Sequence, residues 1–453
     1  MCSFLITNKP SDLTINNTLL KNRGPDSTNT IKNNNISFLH NLLHITGEKT
    51  TQPLVRDDVY LLFNGEIYNY NKGYKNDTHF LLDLYLNEGE QIYKKIDGEY
   101  SIVIVDFRKD KIIFSGDIFL TKPIYYSLED KNFGICSYAS NLKKLGFNEI
   151  KRPKPNHYYL LSLKTLKLEE ITPIYNFNLK QNIDTFELWN LSFENSLIKR
   201  AKTENKIIIP LSSGHDSGAI LCGMNKLKFK NFSTYSFECN ENKDILKKRL
   251  TKINNKKVLS KITSKEYQLL QKLIKDNVEP FYYGYSYETS KEDGMSDDAA
   301  VGLYKLLSDA KKQNKVKILM SGQGGDEIYS NDQQYGFDNK FNPTIFPKNL
   351  KTIFPWPNFY FGGNYSYLTK EEHIAGSLGI EARYPYLDKD VVQQFLNLTP
   401  EFKNKYYKSP LTNYMQQNNF PYFLGKLGFK LDTHHSEYLN KISRIAKLKK
   451  DLK

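Results

Sequence analysis

Two short loops of small residues, each closed by an acid, and a cysteine at position 2 are the parts of this chain whose residue types could do chemistry. The first loop lies in "KIIIPLSSGHDSGAI", residues 206 to 220, where an apolar run passes into Ser212, Ser213, Gly214, His215 and Asp216. A buried strand over 206–211 and a helix from about Ser217 would put that loop at the carboxyl end of a parallel strand, where α/β sheets bind ligands. Small residues let the backbone wrap a phosphate, the helix start adds partial positive charge, and Ser212, Ser213 and Ser217 offer hydroxyls. An ordinary strand-loop-helix turn has the same composition, so this loop alone leaves both readings open. The second loop, "ILMSGQGGDEIYS", repeats the pattern: Ser321, Gly322, Gln323 and Gly324 precede Asp326 and Glu327. Asp216 and Asp326 are then the oxygen ligands that a magnesium ion needs over one polyphosphate.

Removal of Met1 would leave Cys2 with a free α-amine, a base of ordinary pKa about 7.7–8.0 that is able to take the thiol proton. A cysteine at position 2 says little without companions. Three stand in order behind it: "RGPDSTN" (Arg23 to Asn29), "FNGEIYNY" (Phe63 to Tyr70) and "GDIFLTKPIYY" (Gly116 to Tyr126). Asn-Gly also favours a plain turn, and Asn64 could be no more than that.

The elements that must position these groups change character along the chain. Residues 1 to about 175 hold short β-type runs, "CSFLIT", "VYLLFNG", "YSIVIVDF" and "KIIFSGD" among them, with one helical candidate, "THFLLDLYLNEG". Such a series predicts packed antiparallel sheets. After "RPKPN" and "ITPIYNFNLKQNID", strands alternate with amphipathic segments, which predicts a parallel α/β sheet. A chain of 453 residues exceeds one ordinary core, and we place two domains at 2–175 and 185–453. Hydrophobic residues make up 39% and charged residues 25%, with no apolar run near the roughly 18–20 residues of a membrane span. "MCSFLITNKP" does not read as a signal peptide, so a cytoplasmic location is expected. Cys2, Cys136, Cys222 and Cys239 form no Cys-x-x-Cys pair, which argues against a disulfide framework or structural zinc. The net charge of +14 is spread along the chain, and a nucleic-acid partner is disfavoured for want of a basic-aromatic patch.

The motifs carry a family resemblance. Ser212 to Ser217 resembles the Ser-Gly-Gly-x-Asp-Ser pyrophosphate loop of ATP pyrophosphatases, and the second loop resembles the Ser-Gly-x-Gly-x-Asp-Glu of asparagine synthetases. The three N-terminal motifs resemble the class II glutamine amidotransferase domain of that family, while "GSLGIEARYPYLDKDVV" and "GKLGF" are similar to segments of its synthetase domain. The resemblance implies an Ntn-type αββα sandwich followed by an adenine nucleotide alpha hydrolase-like α/β domain. It implies Cys2 as nucleophile, the Asn64 side chain and Gly65 amide as oxyanion hole, and Glu66 with Asp77 on the glutamine ammonium. ATP and its pyrophosphate would lie on Leu211, Ser212, Ser213, Gly214, Asp216, Ser217, Ser236, Ser321, Gly322, Gln323 and Gly324. Asp216 and Asp326 would hold Mg2+, Lys426 would stabilise the α-phosphate, and Glu381 with Arg383 would form the acceptor site. The implied reaction is adenylation of a carboxylate, aspartate by default, and its amidation with ammonia from glutamine. The implied partners are glutamine, ATP and the carboxylic acid, with no membrane; a homodimer is left open.

Four departures bear on the product. Leu42 stands where the family has an arginine for the glutamine carboxylate, leaving Arg23, His44 or Arg56 to substitute, or free ammonia to be used. Gln323 stands where asparagine synthetases commonly carry an acid, and an amide can orient ammonia but cannot take its proton. Ser213 replaces a glycine, and Glu372-His373 replaces an Asp-Arg or Asp-Lys pair near the expected acceptor site. Acceptors such as a sugar acid, a peptide or a natural-product intermediate stay open. Ring closure of the β-lactam synthetase kind is disfavoured by the retained Cys2.

Overall fold

In the computed structural model the described residues are all but 1, 11–12, 14–16, 72, 238–240, 285–289, 332–340 and 424–453, with the backbone alone at 290–292. The runs read as strands before residue 175 form two antiparallel sheets. One has the order Ser27–Asn33, Ile36–Leu42, Ser3–Thr7, Asn132–Cys136, Tyr125–Glu129. The other runs Leu168–Pro173, His157–Ser162, Lys111–Gly116, Gly98–Asp106, Val59–Ile67, Leu54–Arg56. Side chains alternate between faces with a period of two, and here both faces are covered. Phe4, Ile6, Phe38, Val103, Val105 and Phe114 meet between the sheets. Their neighbours in sequence face outward: Ile102 and Ile104 pack under Leu81 and Tyr85 of the helix Asp77–Glu88, and Leu5 packs with Leu20 and Leu142 of two short helices. Apolar runs without alternation, such as "SIVIV", are what an αββα sandwich demands of its central strands. Each fully buried Ile, Val or Phe contributes about 1.5–3 kcal/mol.

The second half is built on five parallel strands in the order Lys256–Ser260, Phe232–Phe237, Ile207–Pro210, Ile318–Met320, Glu381–Arg383. Strand Ile207–Pro210 neighbours both the strand that follows it in sequence and Ile318–Met320, which follows far later. This reversal of direction opens a crevice at the carboxyl ends of the two strands. The Ser212 and Ser321 loops both leave from there. Among the described residues no helix is long and apolar enough to cross a membrane.

Buried ion pairs join the halves. Arg200, on the helix Glu187–Ala201, donates from Nε to Glu99 (2.7 Å) and from Nη1 to Asp388 (2.9 Å). Glu372, on the helix Gly362–Ser377, accepts from Arg23, from Lys122 Nζ (2.8 Å) and from the Tyr384 hydroxyl (2.9 Å). Removing one partner of such a pair leaves an uncompensated buried charge, which costs about 3–5 kcal/mol. Arg200→Ala should therefore lower the urea or thermal midpoint by that order, and a loss below ~1 kcal/mol would contradict the assignment. Burial alone would raise the Glu372 carboxyl, but Lys122 and Arg23 hold it below its ordinary value. A depressed folded-state pKa stabilises above the unfolded value of ~4.3 and is lost as pH falls through the folded value. Glu372→Gln should thus be less stable at neutral pH, yet lose less further stability below pH ~4 than the native chain does, as read by melting temperature.

Two candidate active sites and the boundary between them

The first site forms where strand Val59–Ile67 pairs with Gly98–Asp106. Gly65 has φ +144°, and a Cβ there would collide with the Glu99 carbonyl, so only glycine fits. Beside it Asn64 is fixed at both ends of its amide: Oδ1 accepts from the Cys2 backbone N–H (2.8 Å), and Nδ2 donates to Ser101 Oγ (3.3 Å). One Nδ2 proton remains for a ligand. Arg23 Nε donates to the Cys2 carbonyl (2.9 Å), pinning the nucleophile candidate from behind. The pocket in front is lined by Cys2, Leu42, His44, Gly65, Glu66 and Asp77, among others. Burial pushes the Cys2 thiol above its ordinary value, so it needs a base.

Asn76 caps the helix Asp77–Glu88 by accepting the His79 N–H (3.1 Å), which sets Asp77 in the first turn, at the pocket wall. Burial, and then the charge of Glu66, lift the Asp77 carboxyl well above its ordinary value; burial lifts Glu66 too, against the pull of Arg383. Two acids pushed up in this way gain from a cation set between them, and an α-ammonium is such a cation. The carboxylate end of an amino acid meets nothing equivalent. Arg23 is committed to Cys2 and Glu372, and Arg56 pairs with Asp83 at the surface. His44 lines the pocket with Nε2 on the Gly47 carbonyl (2.8 Å). No lysine or arginine stands among the described residues of the lining.

The second site joins the two loops. Leu211 keeps its strand bond to the Tyr235 carbonyl (2.8 Å), after which the chain turns. Ser212 N–H donates to Ser217 Oγ (3.1 Å) and Gly214 N–H to Ser212 Oγ (3.1 Å). Ser213 N–H donates to the Glu241 carboxylate (2.7 Å), so an anion already sits on the backbone of this loop and Ser213 does not block it. Buried Arg249 holds the carbonyls of Ser212 (2.6 Å) and Gly214 (2.8 Å). The second loop packs directly on the first. A Cβ on Gly322 would stand 2.9 Å from Asp216 Cβ, and one on Gly325 would strike the Asp216 carboxylate. Glycine here serves close approach. Gly324 has φ +92°, and Ser321 N–H donates to the Arg383 carbonyl (2.9 Å). The two loop acids meet at Lys408: its Nζ lies 2.6 and 2.7 Å from the Asp216 oxygens and 3.0 Å from Asp326 Oδ1. No motif in the sequence marked Lys408; only the fold brings it there. Carboxylate oxygens gathered on one cation suit a hard divalent ion equally well. Among the described residues no group of three or more His, Cys, Asp or Glu is placed to hold a metal, so phosphate and water would complete its shell. Ser236 Oγ and Gln323 Nε2 are buried with no hydrogen-bond partner among the described residues. Lys426 and the "GKLGF" segment lie outside the described residues.

The structure moves two expectations. Glu381 and Arg383 do not face the nucleotide crevice: Glu381 lines the Cys2 pocket, and Arg383 donates to Glu381 Oε1 (2.8 Å) and Glu66 Oε2 (3.2 Å). Their side chains leave the edge strand towards the N-terminal domain. Glu372 and His373 likewise turn to that domain, Glu372 to Arg23 and Lys122, His373 against Tyr138 and with Nδ1 on the Glu279 carbonyl (3.0 Å). Burial, with Arg23 and Arg152 adding to it, drops the His373 pKa to about 3, so it stays neutral.

Comparisons with known proteins agree with this division. The family model of a glutamine amidotransferase domain matches residues 1–178, and that of asparagine synthase matches residues 189–345. A putative glutamine-hydrolysing asparagine synthetase of Methanocaldococcus jannaschii is 25% identical over 401 residues, covering 82% of this chain and 70% of the relative. A probable one of Schizosaccharomyces pombe is 27% identical over 417 residues, covering 85% of this chain and 72% of its own length. The human enzyme is 24% identical over 385 residues, covering 76% of this chain, and only 66% of its own length is spanned. With both domains matched in this order, the chain belongs to the glutamine-hydrolysing asparagine synthetase family and is a ligase.

Proposed function

We propose that the chain adenylates a carboxylic acid with ATP and amidates it with ammonia released from glutamine, aspartate being the default acceptor. The observation that carries this is the meeting of Asp216 and Asp326 on one cation at the crevice, with Gly322 and Gly325 packed on Asp216. In the first site the Cys2 thiol, freed of its proton by the α-amine once Met1 is removed, attacks the side-chain amide carbon of glutamine. Asn64 Nδ2 and the Gly65 amide stabilise the oxyanion, ammonia leaves, and water releases glutamate from the thioester. In the second site the acceptor carboxylate attacks the α-phosphorus and pyrophosphate leaves. The loops would hold the phosphates once Glu241 gives up the Ser213 N–H, Asp216 and Asp326 would hold Mg2+, and Lys408 would add a positive charge. Bound there, Mg2+ would neutralise charge on the departing pyrophosphate. Ammonia then attacks the acyl carbon and AMP leaves. A sheltered passage between the sites keeps ammonia unprotonated and the adenylate from water.

A second reading, amidation driven mainly by free ammonia, is favoured by one feature: Leu42 and the absence of lysine or arginine from the described pocket lining. Pyrophosphate release, assayed with ATP and Mg2+ over aspartate and a panel of other carboxylic acids, with glutamine and then with ammonium, separates these cases. Turnover only with another acid refutes aspartate. Asp216→Asn and Asp326→Asn should each cut pyrophosphate release by about 10²-fold or more; near-native rates would end the nucleotide assignment. Cys2→Ala should abolish glutamine use and spare ammonium use, whereas equal loss of both contradicts the division of labour. Leu42→Arg should raise kcat/KM for glutamine by about 10–100-fold, the worth of one charged hydrogen bond, with ammonium kinetics unmoved.

A further inference from the structure

Gln323 stands where the motif that this loop resembles commonly has an acid, and the structure brings a carboxylate to the loop from elsewhere. Ser321 Oγ donates to Glu371 Oε2, and the Gln323 N–H donates to Ser321 Oγ (3.0 Å), so Glu371 reaches position 323 through one hydroxyl. It comes from the helix Gly362–Ser377, and the residues beside it there are committed to other work. Glu372 is held by Arg23 and Lys122, and Lys370 lies over the Tyr367 ring (4.7 Å) and 3.8 Å from Asp297. Glu371 alone of the three faces the loop through its side chain, and it stays partly accessible. Beside it, the buried amide nitrogen of Gln323 has no partner among the described residues.

We propose that Glu371 stands in for the missing loop acid as proton acceptor of the amidation step, with Gln323 orienting the incoming nitrogen; this rests on the amidotransferase reading above. As ammonia forms its bond to the acyl carbon, the carbon–oxygen bond to AMP breaks and AMP leaves with that electron pair. The proton shed by the nitrogen goes to the Glu371 carboxylate, which passes it to solvent. The groups facing Glu371 are Lys370 and Glu372 on its own helix, Lys122 from the N-terminal domain, the Tyr384 phenol that follows the edge strand, and the Ser321 hydroxyl from the loop. Burial raises its carboxyl, Ser321 and Lys370 oppose this, and the balance lies at about 7. A base is most useful there, being largely ionised at working pH while still able to hold a proton.

The test uses full-length Glu371→Gln with aspartate first and then whichever panel acid supports the native enzyme, reading ATP–pyrophosphate exchange and amide formation from ammonium separately. Exchange should stay within about threefold, since adenylation sheds no proton to this group, while amide formation falls about 10²-fold, a usual share for one general base. The rise of amide formation through pH 7 should flatten. The double variant Glu371→Gln, Gln323→Glu, which returns an acid to the loop, should recover much of the rate, keeping the outcome separate from a folding defect. Equal loss of exchange and amidation with an unchanged pH profile and no recovery in the double variant would overturn the proposal, as would unaltered amide formation. Native enzyme that exchanges pyrophosphate with no acid at all would overturn the parent reading as well, a result distinct from either.

Discussion

The second half of the molecule depends on holding two like charges together. Asp216 and Asp326 come from loops far apart in sequence, and their carboxylates share one lysine ammonium at 2.6 to 3.0 Å. Two such carboxylates repel, and the repulsion grows as water is excluded. Adjacent parallel strands, Ile207–Pro210 and Ile318–Met320, bring the loops side by side. Missing side chains at Gly322 and Gly325 let them touch, and buried Lys408 balances the charge. Burial depresses the ammonium, but Asp216 and Asp326 outweigh it and keep Lys408 charged. On the proposed function, a polyanion bound with its own cation would share that balance with Lys408.

The domain boundary solves a related problem with more members. Arg23, Lys122, Arg200 and Arg383 each bridge the halves to an acid on the other side or beside it: Glu372, Glu99 and Glu66. A hydrophobic seam would join the domains with less desolvation cost. What the charges add is orientation, since each fork-shaped guanidinium accepts one geometry. Arg23 is the clearest case, because its Nε holds the Cys2 carbonyl while its Nη atoms hold the carbonyl and carboxylate of Glu372. Glu372 follows Glu371, which reaches the Ser321 loop. Cys2 and the Ser321 loop are therefore linked through one arginine, two adjacent helix residues and one hydroxyl.

Local pattern made much of this legible. Unalternating apolar runs required strands covered on both faces, and Phe4, Leu5 and Ile6 divide between two cores as a period of two demands. Small residues after "KIIIPL" and "ILM" marked loops at strand ends, and the sheet order sets them together. Long-range electrostatics stayed hidden. Lys408 lies 192 positions from Asp216, and nothing local separates "KSPL" from other lysine-bearing stretches. Arg249 and Glu241, which hold carbonyls and an amide of the first loop, share that fate. Glu381 and Arg383 show a different limit. Spacing by two puts both on one face of their strand, but which face meets the crevice depends on what packs against the sheet. Here the amidotransferase domain packs there, and both side chains serve its pocket.

That placement bears on how the donor is read. A free amino acid carries both an ammonium and a carboxylate, and the pocket answers only the first. Glu66 and Asp77 line it with carboxyl groups, and Leu42 adds an apolar side chain. Arg383 supplies positive charge nearby, but its Nη2 already lies 3.2 Å from Glu66 and its Nη1 holds the Arg200 carbonyl (2.6 Å). An incoming ammonium must share Glu66 with that guanidinium. On the proposed function, an ammonium bound there would loosen a contact that reaches across the boundary to the edge strand Glu381–Arg383, whose backbone carbonyl at Arg383 accepts from Ser321. Arg383, whose guanidinium holds Glu66 at the Cys2 pocket, and the Ser321 loop, whose N–H donates to the Arg383 carbonyl, therefore hang from one strand.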